Sequence, residues 1–192
     1  MQDTTVLEQP RATLSMHPKK FALWLFIVSV VMIFASLTSA YIVREAEGNW
    51  LLFEMPQIIY YNTIIIVLSS VTMQWAYSAA KKDNLNNLRI GLIATTALGF
   101  AFLAGQYLAW GALVDNNVFF VGNPAGSFMY VLTGLHGVHL ISGVIFLSLV
   151  LRAAFKYKVH SRNLLKVEMC TTYWHFLGGL WVYLFIFLAF NH

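Results

Sequence analysis

Residues 127–151, SFMYVLTGLHGVHLISGVIFLSLVL, contain no Asp, Glu, Lys or Arg. As an α-helix this stretch is about 37 Å long, against roughly 30 Å of bilayer hydrocarbon. It is therefore read as a transmembrane helix. Four further stretches qualify in the same way: residues 21–43, 56–80, 90–114 and 169–190. The connections between them are short, which favours antiparallel neighbours in a bundle. The composition agrees, with 59% hydrophobic and only 10% charged residues in a chain of 192. Soluble domains carry about a quarter charged residues. The expected fold is an all-α integral membrane protein, a single bundle of five transmembrane helices over residues 19–192. Residues 1–18 are expected to form a mobile, polar segment ahead of it. They lack the short apolar core and small-residue site of a cleaved signal peptide.

Charge sets the expected orientation. Eleven of the twelve Lys and Arg residues fall on one side: in the N-terminal segment, in the loop after the second span, and between Arg152 and Lys166. The other side carries Arg44 with Glu45, Glu47, Glu54 and Asp115. The positive-inside rule then places the N-terminus in the cytoplasm and the C-terminus in the periplasm. The pI near 9.2 is accounted for by these loops, so no nucleic-acid partner is expected. The lone Cys170 allows no internal disulfide and is read as inert packing.

The absence of acids and bases within the spans argues against a pump or an ion-coupled transporter, which normally use such residues as relays. The histidines are the remaining chemistry. His136 and His139 lie one turn apart, on one face with Gly143, about 13 and 18 Å below the outer surface. His175 lies about 9 Å from the cytoplasmic side, leaving a vertical gap of about 9 Å to His139. A shared metal site needs three or four ligands near 2 Å, so hydrogen bonding to neighbouring helices or lipid is the favoured role. Glu168 stands two turns before His175 on the same helix face. It suits the helix dipole, or could join His175 in a polar cluster that seats a phospholipid or a partner. Small and polar residues form stripes suited to helix packing: Gly91, Thr95, Gly99 and Gln106; Asn62, Ser69 and Met73; Ser29 and Ser36. Trp50, Trp110 and Tyr41 suit an interfacial belt, while Trp174, Trp181 and Tyr183 lie deeper.

Four motifs, in order along nearly the whole chain from Lys19, carry a resemblance. Residues 132–143 (LTGLHGVHLISG) resemble a TG-x-HG-x-H-x-x-x-G helix. Glu168 with Tyr173-Trp174-His175-Phe176 and Trp181 resembles an E-x4-YWHF…W helix. Asn62-Thr63 with residues 69–73 (SSVTM) resembles NT…SSVTM, and Gln106 with Trp110 resembles Q-x-x-E-[YW]. The pattern is similar to subunit III of the haem-copper terminal oxidases, in a five-helix bacterial form equivalent to the last five of seven helices. The resemblance implies an accessory subunit with no catalytic residue and no cofactor of its own. It would stabilise subunit I, hold structural phospholipid, and support oxygen and proton access. Haem and copper belong to the partner subunits I and II, and a larger respiratory supercomplex is a further possible partner. Cytochrome c is the expected electron donor, with a quinol-fed oxidase as the alternative. The implied location is the bacterial plasma membrane. A free-standing metal or redox protein built on His136, His139 and His175 is the rival reading. The lipid- or subunit-packing candidates are His136, His139, Glu168, Tyr173, Trp174, His175, Trp181, Gln106 and Asn62. Three positions depart from the family pattern. Val30, Ala109 and Gly178 stand where the family has acidic residues, so proton handling by a buried carboxylate is not expected here.

Overall fold

The structure is a computed structural model, and it describes residues 17–51, 53, 55–156 and 164–191. The N-terminal segment expected to be mobile therefore lies almost wholly outside the described residues. So does most of the basic loop between the last two helices. Five helices account for the described residues: α1 (Pro18–Ala46), α2 (Gln57–Lys81), α3 (Leu85–Asp115), α4 (Pro124–Phe155) and α5 (Leu165–Phe190). All five are long and apolar enough to cross a membrane. In lipid only helices and closed barrels can satisfy every backbone group internally.

All but α2 are longer than their apolar spans, because residues at the ends continue the backbone ladder beyond the hydrocarbon. Three starts are fixed by local chemistry. Pro18 and Pro124 open α1 and α4, where a missing N–H costs nothing. The His17 ring and the Asn123 side chain accept the freed N–H groups of Lys19 and Ala125. Asn84 caps α3 by accepting from the Asn87 N–H. The turn from α2 into α3 is tight, and Asp83 adopts φ 53° to make it.

α2 and α3 form the most extensive helix pair, α5 lies against both α2 and α4, and α3 lies against α4. α1 rests on α4 and α5 and is the least buried helix. Close approach is set by glycine. A Cβ on Gly91 would stand 2.8 Å from the Ala76 Cβ and 3.1 Å from its Cα, so α2 and α3 meet backbone to backbone. A Cβ on Gly99 would stand 2.8 Å from the Trp174 ring, and one on Gly143 would stand 2.7 Å from Leu177. Lipid tails are as apolar as Leu, so these contacts stabilise through van der Waals packing, without a hydrophobic drive between helices.

The packing stripes on α2 and α3 lie where the sequence places them: Asn62, Ser69 and Met73, and Gly91, Thr95, Gly99 and Gln106, are all buried. The α1 stripe is corrected. Ser29 and Ser36 are exposed and bond to their own helix carbonyls. The buried face is instead Ile27, Val30, Phe34, Thr38 and Tyr41, because α1 has neighbours on one side only. Tyr41 is likewise buried rather than belt-like. It sits edge-on to Trp50, Phe128 and Phe187, and its hydroxyl donates to the Asn191 carbonyl.

Gly91→Val forces α2 and α3 apart and should cost about 1–3 kcal/mol, the usual range for overpacking. Gly179 is exposed and has nothing within 4 Å of a built Cβ, so Gly179→Ala should change stability by less than about 0.5 kcal/mol. Thermal unfolding of the detergent-solubilised protein measures both.

Candidate helix-contact and lipid-contact site

The candidate residues of α5 spread over three neighbouring helices. Tyr173 faces α4, where its hydroxyl lies 2.7 Å from Ser142 Oγ. Trp174 and Trp181 face α2, donating their indole N–H to Ser69 Oγ at 3.1 Å and Thr63 Oγ1 at 3.0 Å. His175 also turns to α2 and pairs through Nε2 with Gln74 Oε1 at 3.1 Å. Similar bonds tie the other seams. The Trp110 indole on α3 donates to Thr133 Oγ1 on α4 at 3.1 Å. Thr72 and Thr95 hydroxyls meet at 2.8 Å between α2 and α3, and Tyr183 on α5 donates to Thr38 on α1 at 3.1 Å. Such interhelical bonds contribute on average about 0.6 kcal/mol each in membrane proteins. Their larger effect is to fix helix rotation, since each admits one register.

The two histidines of α4 do not share a face in practice. Three residues turn a helix by about 300°, leaving about 60° between the side chains. That is enough to send them to different neighbours. His136 is fully buried between Phe102 of α3 and Trp181 of α5, at centroid distances of 6.0 and 5.1 Å. His139 turns to α1, with its ring against Phe26 and Phe34 and Nδ1 2.8 Å from the Leu135 carbonyl. That distance makes Nδ1–H the donor, since a carbonyl oxygen only accepts. With His175 on the α2 side, the three histidines face three different surroundings. Among the described residues, no three His, Cys, Asp or Glu side chains converge as a metal-binding group.

Glu168 and His175 form no joint cluster either. Glu168 pairs with Lys20 of α1, Nζ to Oε1 at 2.7 Å, while His175 bonds to α2. Nothing in the local sequence of α5 pointed to Lys20, which is 148 positions away. Two recesses flank this ion pair at the basic end of the bundle. One, of about 320 Å³, is lined by Lys20, Trp24, Glu168 and Thr172 among others. The other, of about 500 Å³, sets His17, Lys19 and Lys166 beside Phe146, Leu149 and Met169. Cations above an apolar wall match the two halves of a phospholipid with an anionic head. At the opposite end a cavity of about 850 Å³ lies between α1 and α4. Its lining includes Ser36, Ser39, Arg44, Asn123 and Ser127. Sequence reasoning missed this cavity, because it is built by residues that share no motif.

The positions that depart from the acidic pattern are all interior. Val30 is 1% exposed, Ala109 is fully buried, and a Cβ on Gly178 would stand 2.9 Å from Ser70 Oγ. A carboxylate at any of them would be desolvated. Apolar or small residues let the helices close without a buried charge.

A family model for cytochrome c oxidase subunit III matches residues 5–191. The chain is 30% identical to cytochrome c oxidase subunit 3 of Thermostichus vulcanus over 185 residues, 90% of this chain and 88% of that one. It is 29% identical to cytochrome c oxidase subunit 3 of Bacillus sp. (strain PS3), covering 91% and 86% of the two chains. It is also similar, at 25% identity over 90% of this chain and 94% of the relative, to the cytochrome bo(3) ubiquinol oxidase subunit 3 of Buchnera aphidicola. With five spanning helices, a bundle closed by its motif residues, and a match over nearly its full length, this chain belongs to the cytochrome c oxidase subunit III family.

Proposed function

We propose that this chain is the accessory, non-catalytic subunit III of a bacterial cytochrome c oxidase, in contact with subunits I and II. The observation that carries the reading is how the bundle uses its polar side chains. The motif residues Tyr173, Trp174, His175 and Trp181 are bonded to neighbouring helices. They hold the scaffold rather than a reacting group. Haem and copper then belong to the partner subunits. The relative named as a ubiquinol oxidase subunit keeps a quinol-fed complex as the second reading.

Lys19, Lys20, Lys81, Lys82, Arg89, Arg152 and Lys166 mark the basic end as cytoplasmic under the positive-inside rule. There the recess beside Lys19 and Lys166 is the favoured seat for an anionic phospholipid. Its head would meet the lysines, and its chains would run along Phe146, Leu149 and Met169. The Lys20–Glu168 pair holds α1 against α5 at the same level. Its side chains are 33% and 40% exposed. Its direct contribution therefore stays within the 0–1 kcal/mol of a solvent-reached ion pair, and both partners line the smaller neighbouring recess.

Affinity purification of the tagged chain in mild detergent should recover haem-bearing subunits, seen by their reduced-minus-oxidised spectrum. Recovery of the chain alone, with haem bound to it, would overturn the reading. Glu168→Ala should lower retained phospholipid or subunit I without changing haem per subunit I. The charge swap Lys20→Glu with Glu168→Lys should restore part of the loss. Phosphorus analysis and gel densitometry measure both effects.

A hydrophobic carbodiimide should leave the apolar span 21–43 of α1 unlabelled, since Val30 and its neighbours there offer no carboxyl group. Peptide mapping by mass spectrometry checks this. Adding an acid by Val30→Glu should create a labelled site and lower the thermal stability of the complex, because the carboxyl would be buried without a cation.

A further inference from the structure

Six buried side-chain nitrogen and oxygen atoms have no hydrogen-bond partner among the described residues, and five of them belong to His136, Gln106 and Asn62. These three residues are at most 3% exposed and come from three helices. A short chain of contacts links them. Asn62 packs so closely on α3 that a Cβ on Gly105, next to Gln106, would stand 2.0 Å from its Oδ1. The His136 ring lies edge-on to Phe102, one turn from Gln106, and tilted against Trp181. Trp181 in turn bonds to Thr63, the neighbour of Asn62. The sixth atom is the Trp50 indole nitrogen, while Trp110, Trp174 and Trp181 are paired, so the concentration of five unpaired atoms on these three residues calls for a ligand.

The chemistry of the layer selects it. A neutral imidazole offers one donor and one acceptor, the Gln106 amide offers both, and the Asn62 amide nitrogen is a donor. The charged residues of α2, α3, α4 and α5 sit near the helix ends, at Lys81, Arg89, Asp115, Arg152, Lys166 and Glu168. An ion here would lack a counter-charge, whereas water both donates and accepts. Room exists beside the layer. Gly137 is buried, yet a Cβ built on it would meet nothing within 4 Å. A cavity of about 280 Å³ between α3 and α4 is bounded by both Gln106 and Gly137. Water needs a polar site with two to four partners and space for one probe sphere.

We propose that His136, Gln106 and Asn62 enclose a permanently hydrated site in the outer half of the bundle, filled through the α3–α4 seam. Ordered water donates to the free imidazole nitrogen and to the Gln106 carbonyl. It accepts from the imidazole N–H and from the two amide nitrogens. The site links α2, α3 and α4 around Trp181 without placing a charge in the hydrocarbon. It lies wholly within this chain and stands whatever oxidase the chain serves.

The test uses the intact complex in lipid nanodiscs. Electron cryo-microscopy near 2 Å should show water density within hydrogen-bonding distance of His136 and of at least one amide. Solid-state NMR with ¹⁵N-labelled histidine should show a water contact to a buried imidazole that disappears in His136→Phe. Gln106→Leu should weaken that contact while leaving subunit recovery unchanged. Direct bonding of His136 to Gln106 with no water between them would overturn the proposal, as would a dry site or occupation by a partner's side chain. If either variant fails to assemble, the density and the water contact of the unaltered protein still decide the question.

Discussion

The indole of Trp174 is the contact on which the bundle turns. It projects from α5, donates its N–H to Ser69 of α2, and lays its ring against Gly99 of α3 and Gly143 of α4. One side chain thereby sets the spacing of four helices. In water, apolar burial would draw these helices together regardless of detail. In lipid it cannot, so association rests on close fit and on a few polar bonds. Glycine at the contact points and a large flat ring between them supply the fit. The single indole N–H supplies the direction. The bonds of Trp110, Tyr173, Trp181 and Tyr183 repeat this device at lower stakes, with an aromatic residue on one helix and a small hydroxyl on the next.

The same economy explains where charge is found. Acids and bases are confined to the helix ends, and the interior polarity is that of hydroxyls, amides and imidazoles. Such groups fix rotation and register without placing a permanent charge in the hydrocarbon. A scaffold that borders a redox enzyme benefits from being electrically quiet. At the basic end the situation reverses, since the lysines beside apolar side chains make a surface that anionic lipid can complete.

Much of this was legible in the sequence. Five apolar stretches gave five helices, and Thr95, Gly99, Ser69 and Met73 fell on their contact faces, since helical period and small size decide burial. What the sequence could not reveal is which neighbour each face meets. His136 and His139 look paired at three residues' spacing, but a 60° offset sends one into the core and the other to α1. Glu168 looked like a partner for His175 because both lie on one face of α5. Its actual partner, Lys20, is brought there only by tertiary packing. On α1 the serines suggested a contact stripe, and the structure buries the face beside it. A helix with neighbours on one side obeys no stripe of its own and takes whichever face its neighbours offer.

That lopsided setting of α1 has a consequence for biosynthesis. The helix leaves the ribosome first, yet both of its end contacts wait for the last helix: Lys20 for Glu168, and Tyr41 for Asn191. At about 5–20 residues per second, roughly 7–30 s separate the synthesis of the two halves of the Lys20–Glu168 pair. During that interval α2 and α3 can already zip together as a hairpin, and α1 gains its first neighbour only when α4 brings His139 against Phe26 and Phe34. Of the five helices, α1 precedes both of its neighbours, and its two end contacts close only with the last segment. A nascent chain released before α5 would leave α1 held by α4 alone, with Lys20 and Tyr41 both without their partners.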